Sequence, residues 1–504
     1  MKFVRRNELT PDIRAQIAIQ AYLAYLNKDF WGTISWLARK HYVSRQFIYL
    51  LIWGLKDIFE QTEVKVKDEL KEHNQVFHSL LMITLKLQGT CSIGDISQIL
   101  KTLNIPANST GYISQKIKEF AVAIPKNTTS HPDCNAIVIS ADETFAGSKP
   151  ILIIIDAKSH FILKAVMARD RKGHTWYNLF EELKNEGYPI HYVVKDQGSG
   201  LENGAKLAEL LEQLDLMHLL KPLLPFLYRF AHQAYGAITE EVERQRVFNN
   251  ARSEANLKKR LDQYEKAVRT ADDLIYRYDA YDYLWAELIR AFNPFNADGS
   301  LRQRSPVESD VATILELMES EIDNTKLKDV IKNFRKSVNA YWGYFDRLEV
   351  IVKNLSRDIP EDILRELCLA WQCDKKSRAV KNYARKKALL KQAEEHLFLA
   401  ACLQLPEYEA VKQKVFDELE ANVRSSSPLE SINSLIRDHL NSCRDQLTQE
   451  LLDMIVYFIN HKIVSTGPYK GTSACQRFTG KKEKGNYAEQ ILKFWQDKQD
   501  ENVA

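Results

Sequence analysis

The stretch Ala136-Ile-Val-Ile-Ser-Ala-Asp142 is an apolar run of strand length ending in a carboxylate, and His191-Tyr-Val-Val-Lys-Asp196 repeats that form. Two further β-branched runs lie between them, Ile151 to Ile155 and Ile162 to Met167, separated by the polar Asp156-Ala-Lys-Ser-His160. Runs of this length, rich in Val and Ile and bounded by turn residues, predict strands. Trp176 to Asn185 carries the spacing of a short amphipathic helix. Three strands in a meander, a helix and a fourth strand form an α/β order. Ligands of such sheets gather beyond strand ends, where Asp142 and Asp196 stand, the latter just before Gly198-Ser-Gly200.

After Asp196, Leu201 to Gln213 reads as a helix and Leu214-Asp-Leu-Met-His-Leu-Leu220 as a fifth strand. From Gly236 to Arg424 the pattern is helical throughout, punctuated by Pro294, Pro306, Pro360 and Pro406. Such a length cannot be a loop, so an inserted all-helical domain is expected, its first helix running from Thr239 to about Phe292 with one or two breaks. Ser427-Pro-Leu-Glu430 then opens a helix to about Arg444, and Leu447 to His461 a second one apolar enough to cover the sheet. Ser, Pro and Glu at those positions make a capping box. A cap does not require the polar stripe of Asn433, Ser434, Arg437 and Asn441 beside Glu430, opposite Leu429, Ile432, Leu435 and Ile436.

Upstream, Trp31 to Tyr49 has helix-turn-helix rhythm: Ile34, Leu37 and Ala38 share a face, Tyr42-Val43 turn, and Ser44 caps a second helix. That helix carries Arg45, Gln46 and Tyr49, and Arg and Gln are the donors suited to guanine and adenine edges. After a polar linker, Glu63 to Asn74, the segments Cys91–Leu100 and Ser109–Lys118 repeat the rhythm, with Tyr112, Gln115 and Lys116 expected on the exposed side. In the helical insertion, Lys375, Lys376, Arg378, Lys381, Arg385, Lys386, Lys387 and Lys391 follow one another without an acid among them. Phosphate contact is expected there, chiefly from Lys381, Arg385 and Lys386. Tyr341-Trp-Gly-Tyr-Phe345 reads first as core packing, with base stacking by Trp342 as the alternative.

The expected organisation is multi-domain: all-α helix-turn-helix units at 1–62 and 75–125, an α/β core at 134–235, an all-α insertion at 236–424, and final core helices with a basic tail at 425–504. With 504 residues the chain is too long for one core. A net charge of +3 announces no nucleic-acid binder by itself, so that reading rests on local patches. Seven scattered cysteines suit a reducing compartment, and Cys368 and Cys373 have no second pair to complete a zinc site. No apolar run reaches the roughly 18 residues of a membrane span, and the start Met-Lys-Phe-Val-Arg-Arg lacks a signal core. A cytoplasmic protein with no membrane partner is expected.

Two strand-end Asp residues and a Glu on a later helix can form a three-carboxylate site. Hard oxygen ligands suit Mg²⁺ or Mn²⁺, and two such ions activate a nucleophile and stabilise the leaving oxygen of a phosphodiester. Asp156 is the rival first acid, although local turn bonding accounts for an Asp in a hairpin. Gly-rich phosphate loops, dinucleotide fingerprints and Gly-x-Ser-x-Gly elbows are absent.

The chain resembles the DDE transposases in Ser140-Ala-Asp142-Glu-Thr144, Val194-Lys-Asp196-Gln-Gly198, Asp215-Leu-Met-His218 and Ser427-Pro-Leu-Glu430-Ser-Ile-Asn-Ser434. An Asp-x-x-His element and an all-helical insertion between second Asp and Glu look like the Mutator-like and hAT-like groups and their bacterial relatives. Gly471-Thr-Ser-Ala and Phe478-Thr-Gly480 resemble the end of many bacterial transposases. The resemblance implies an RNase H-like catalytic core in which Asp142, Asp196 and Glu430 bind two Mg²⁺ or Mn²⁺ ions. Asp215, His218, Asn433 and Arg437 are then accessory. It further implies cleavage and strand transfer on double-stranded DNA (element ends and target), assembly as a homodimer or higher oligomer, and association with a bacterial nucleoid. Two other functions remain open: a non-cleaving DNA-binding regulator of the same fold, and a structure-specific nuclease.

Overall fold

The computed structural model describes residues 9–27, 30–55, 75–125, 136–403, 407–443, 446–483 and 485–503. The linker Glu63 to Asn74 lies outside the described residues. Two compact units divide the chain: Met1–Asn135, Ala141–Pro189 and Ser427–Ala504 in one, Ala136–Ser140 and Ile190–Ser426 in the other.

In the first unit, Thr10 caps the helix Pro11–Leu26, with Pro at its first position. The helix Phe30–Lys40 follows, then a turn in which Tyr42 takes a left-handed φ of 54°, then a helix over residues 45–55. Ile17, Ala21, Ile34, Leu37, Ile48 and Ile52 close this trihelical core. The Ser44 hydroxyl accepts from the Phe47 N–H, the cap expected of it.

A second helical trio, Gln75–Leu87, Ile93–Thr102 and Thr110–Ala123, does not close a core of its own. Met82, Ile96, Leu100, Ile113 and Phe120 share one with Ile151, Ile153 and Ile155 of the sheet and with Leu429, Ile436, Leu452, Ile455 and Ile491 of the C-terminal helices. Those helices are Ser427–Cys443, Gln449–His461 and Tyr487–Val503. The segment expected at 75–125 thus shares its core with the C-terminal helices, of which Gln449–His461 packs on β3.

The strands are β1 (Ile137–Ala146), β2 (Lys149–Asp156), β3 (Ile162–Met167), β4 (Ile190–Lys195) and β5 (Glu212–Leu214). They form a mixed sheet of order β3-β2-β1-β4-β5. β2 and β3 pair antiparallel, whereas β1–β4 and β4–β5 are parallel. β2 is buried from Pro150 to Asp156, which explains its unbroken apolar run: a strand covered on both faces cannot alternate. The expected meander, helix (Gly173–Asn185) and fourth strand are all present. β1 continues past Asp142 to Ala146 before turning into β2, so Asp142 is not the strand's last residue.

In the second unit the sequence reading needs correction. The helix after Asp196 is Ser199–Leu207, shorter than expected, and β5 is three residues long. The expected strand at 214–220 is instead a short helix, Leu216–Leu220, because Asp215 caps it by accepting from the His218 N–H at 2.9 Å. The helix expected from Thr239 to about Phe292 begins earlier and is broken once, as Leu224–Asn249 and Glu254–Ala291, and six more α-helices follow to Ala421 among the described residues. Among the described residues the stretch 224–421 is helical apart from an isolated Phe295–Leu301 bridge. Tyr341, Trp342, Tyr344 and Phe345 are all buried in its core, which makes stacking of a base on Trp342 untenable. No helix among the described residues is long and apolar enough to cross a membrane.

Candidate active site

Each compact unit gathers part of the expected acid set. In the first, Asp142 is half-buried on β1, and the Asn433 amide donates to its Oδ2 at 2.8 Å. The Glu143 N–H donates to Asp142 Oδ1, also at 2.8 Å. Glu430 lies one helical turn before Asn433 and is exposed, and Arg437, one turn after it, donates from Nε to the Thr144 hydroxyl at 3.4 Å. The helix that bears Glu430 is therefore tied to β1 by two side-chain contacts at three- and four-residue steps, the spacing that shares one helical face.

One residue of that helix departs from the expected faces: Asn433, of the polar stripe, is buried at 2% exposure, but Leu435, expected on the apolar face, is exposed at 47%. Leu429, Ile432, Ile436 and Leu440 supply the apolar stripe, and the Asn433 amide turns inward to serve Asp142. Its other atom, Oδ1, is buried without a hydrogen-bond partner. An orphaned amide oxygen beside a carboxylate costs free energy unless water or a cation meets it.

In the second unit, β1 and β4 pair at Ser140–Val194, and β4 and β5 at Lys195–Leu214. Asp196 follows Val194 by two residues and Asp215 follows Leu214 by one, so both leave the carboxyl ends of parallel strands. Asp196 Oδ1 accepts from the Gly198 N–H at 2.8 Å. A Cβ on Gly198 would stand 2.9 Å from that same oxygen, so a side chain here would displace the carboxylate. The sequence signal was the Gly198-Ser-Gly200 turn, but nothing in it pointed to the carboxylate.

Asp215 has another role. It is 1% exposed and accepts from the Ser426 hydroxyl at 2.6 Å and the Ser426 N–H as well as from His218. Burial pushes its carboxyl upward, but the bonds from His218 and Ser426 outweigh that and hold it down at about 2. With its lone pairs engaged, Asp215 fastens the segment before Ser427 to the end of β5. His218 Nδ1 stands 3.5 Å from Asp215 Oδ1, an ion-pair distance. Its pKa is raised, first by Asp215 and against burial, with a further contribution from Asp196. Ser426 was missed in the sequence, where the cap was assigned to Ser427. Asp156, the rival acid, is buried and turned onto Ser159, whose N–H donates at 2.7 Å, as turn bonding predicts.

Among the expected DNA contacts, Arg45 and Gln46 are exposed and Tyr49 is half-buried. Lys381, Arg385 and Lys386 are exposed and have no ion pair among the described residues. The basic run is not one helix face: it breaks where Asn382 caps the helix Tyr383–Cys402. Lys375 and Arg378, before the break, both pair with Glu420. Gln115 and Lys116 are otherwise occupied. Both bond Glu119, and the Lys116 ammonium sits 4.7 Å from the Trp495 ring, which leaves it little reach for a phosphate.

No protein-family model matches the chain, and the comparison with curated proteins finds no match.

Proposed function

We propose that this chain is a DNA transposase of the DDE type, with an RNase H-like core built on β1 to β5. The observation that carries the reading is the 2.8 Å hydrogen bond from Asn433 to Asp142, which links the helix of the third acid to the strand of the first. Two features support it. Asp142 and Asp196 each stand two residues beyond the paired Ser140 and Val194 of parallel strands. A long all-helical stretch separates Asp196 from Glu430.

Asp142, Asp196 and Glu430 are the proposed holders of two Mg²⁺ or Mn²⁺ ions. The donors are all oxygens, and the unpartnered Asn433 Oδ1 beside Asp142 fits a hard cation or its water. When bound, such ions activate the attacking oxygen and stabilise the leaving one. The chain's own contribution is positional. Asn433 fixes the Asp142 carboxylate, the Gly198 N–H fixes Asp196, and Asp215 raises the pKa of His218, which favours the imidazolium form that can donate to a phosphate oxygen. Arg45 and Gln46 are the proposed base readers, and Lys381, Arg385 and Lys386 the phosphate contacts. Partners on this reading are the element's DNA ends, a target duplex and a second copy of the chain.

The test is incubation of the full chain with DNA carrying the sequences that flank its reading frame, in Mg²⁺ or Mn²⁺. Cleaved ends and joined products are expected. Nicks without joined products would favour the structure-specific nuclease, and specific binding with intact DNA the regulator.

A further inference from the structure

The C-terminal part of the first unit gathers three side chains of different ligand chemistry outside the acid set. His461 closes the helix Gln449–His461, Cys475 lies in the first turn of the helix Ala474–Thr479, and Glu483 follows the left-handed Gly480 that ends that helix. One ligand atom from each lies within 4.8 Å of the other two. The cluster is enclosed: the His461 side chain is 9% exposed, that of Glu483 17%, and Cys475 is buried. An ion pair accounts for His461 and Glu483 but not for a thiol brought to the same point.

We propose that His461, Cys475 and Glu483 are the ligands of a zinc ion that clamps the C-terminal segment. The ligand set selects the metal: a thiolate and an imidazole favour Zn²⁺ over Mg²⁺, and a carboxylate completes a three-residue set with the fourth position for water. His461 Nδ1 and Glu483 Oε2 are 2.9 Å apart, a hydrogen-bond distance that a zinc ion would open by a few tenths of an ångström to the tetrahedral edge of about 3.3 Å. The supports of a metal site are also there. The Ser473 hydroxyl donates to Glu483 Oε1, leaving Oε2 for the cluster, and the His461 ring stacks on Tyr457 at 3.9 Å. Binding exchanges the Cys475 S–H bond for an S–Zn bond and releases that proton to solvent, so affinity weakens at low pH. The ion joins the end of one helix, the start of the next and the tail beyond it. This site stands apart from the transposase reading and does not depend on it.

Cobalt distinguishes it from the acid set, because Asp142, Asp196 and Glu430 offer no thiolate. Full-length, metal-stripped protein titrated with Co²⁺ is expected to develop a near-ultraviolet thiolate-to-cobalt band, saturating at one ion per chain and bleached by Zn²⁺. Cys475→Ser should abolish the band. Glu483→Gln, which keeps the side chain's shape, should leave the band but weaken Co²⁺ binding roughly tenfold or more. Zn²⁺ should raise the Tm of the wild-type chain. If Cys475→Ser does not fold, the Glu483→Gln titration and the wild-type Tm shift decide. Absence of the band in folded wild-type protein, or its persistence in Cys475→Ser, would overturn the site.

Discussion

Replacing Asp215 by Asn separates two roles that its place near the candidate site leaves in competition: a metal-site accessory and an internal fastener. The carboxylate is 1% exposed, with Oδ1 taking the His218 N–H and Oδ2 taking two donors from Ser426. Asparagine has one oxygen, so whichever way it turns, an N–H or O–H on the other side is left facing an amide nitrogen. A buried donor stripped of its acceptor costs about 1–3 kcal/mol. Linkage gives a similar figure. The carboxyl is held at about 2 in the folded chain, against about 3.9 when unfolded, which corresponds to roughly 2–3 kcal/mol. Because the folded value is the lower one, this stability is fully present above the unfolded value and is lost as pH falls through about 2. Urea unfolding at pH 7, followed by fluorescence that includes the buried Trp342 and Trp371, should show Asp215→Asn destabilised by roughly 2–3 kcal/mol. The gap from wild type should narrow as pH is lowered. Ser426→Ala, which leaves the Ser426 N–H in place, should cost less, about 1–2 kcal/mol. Wild-type stability in Asp215→Asn together with lost cleavage would refute the fastening role and restore a metal-site one.

Three further outcomes follow from the same geometry. Gly198→Ala should leave the Tm nearly unchanged yet cut metal-dependent cleavage by roughly 10–100-fold, since its Cβ would displace the Asp196 carboxylate; unchanged cleavage kinetics would count against it. Arg45→Ala should cost about 1–3 kcal/mol in binding the cognate end and relax one base position, whereas equal weakening on random DNA would make Arg45 a phosphate contact. Combined Lys381→Ala, Arg385→Ala and Lys386→Ala should flatten the log–log salt dependence of DNA binding by roughly two to three units with little change in specificity; an unaltered slope would mean a solvated surface.

The strands were legible because β-branched runs between turn residues have few other uses, and β2, buried along nearly its whole length, shows it most clearly. Leu214 to Leu220 misled because a short apolar run does not distinguish strand from helix by periodicity. The capping bond from Asp215 decided it, and Ser426, remote in sequence, bonds the carboxylate's other oxygen. The apolar face of the helix beyond Ser427 was read by apolarity alone, which buries Leu435. Packing leaves Leu435 exposed and buries Asn433 instead, which meets Asp142, 291 residues away in sequence. Lys116 looked free for the same reason: Trp495, which it approaches, comes from the far end of the chain. Short local runs were misread where a cap decided the element, and side-chain partners were missed where a distant residue supplied them.

Glu430→Gln tests the central claim most directly, because the sequence also reads this residue as part of a capping box, an account without catalysis. Single-turnover cleavage of end DNA in Mn²⁺ should be measured alongside thermal unfolding of the same preparation. The transposase reading predicts that cleavage is abolished while end binding and Tm stay close to wild type. Normal cleavage with a lowered Tm would contradict it, leaving Glu430 as a helix cap and the three-carboxylate site without its third member.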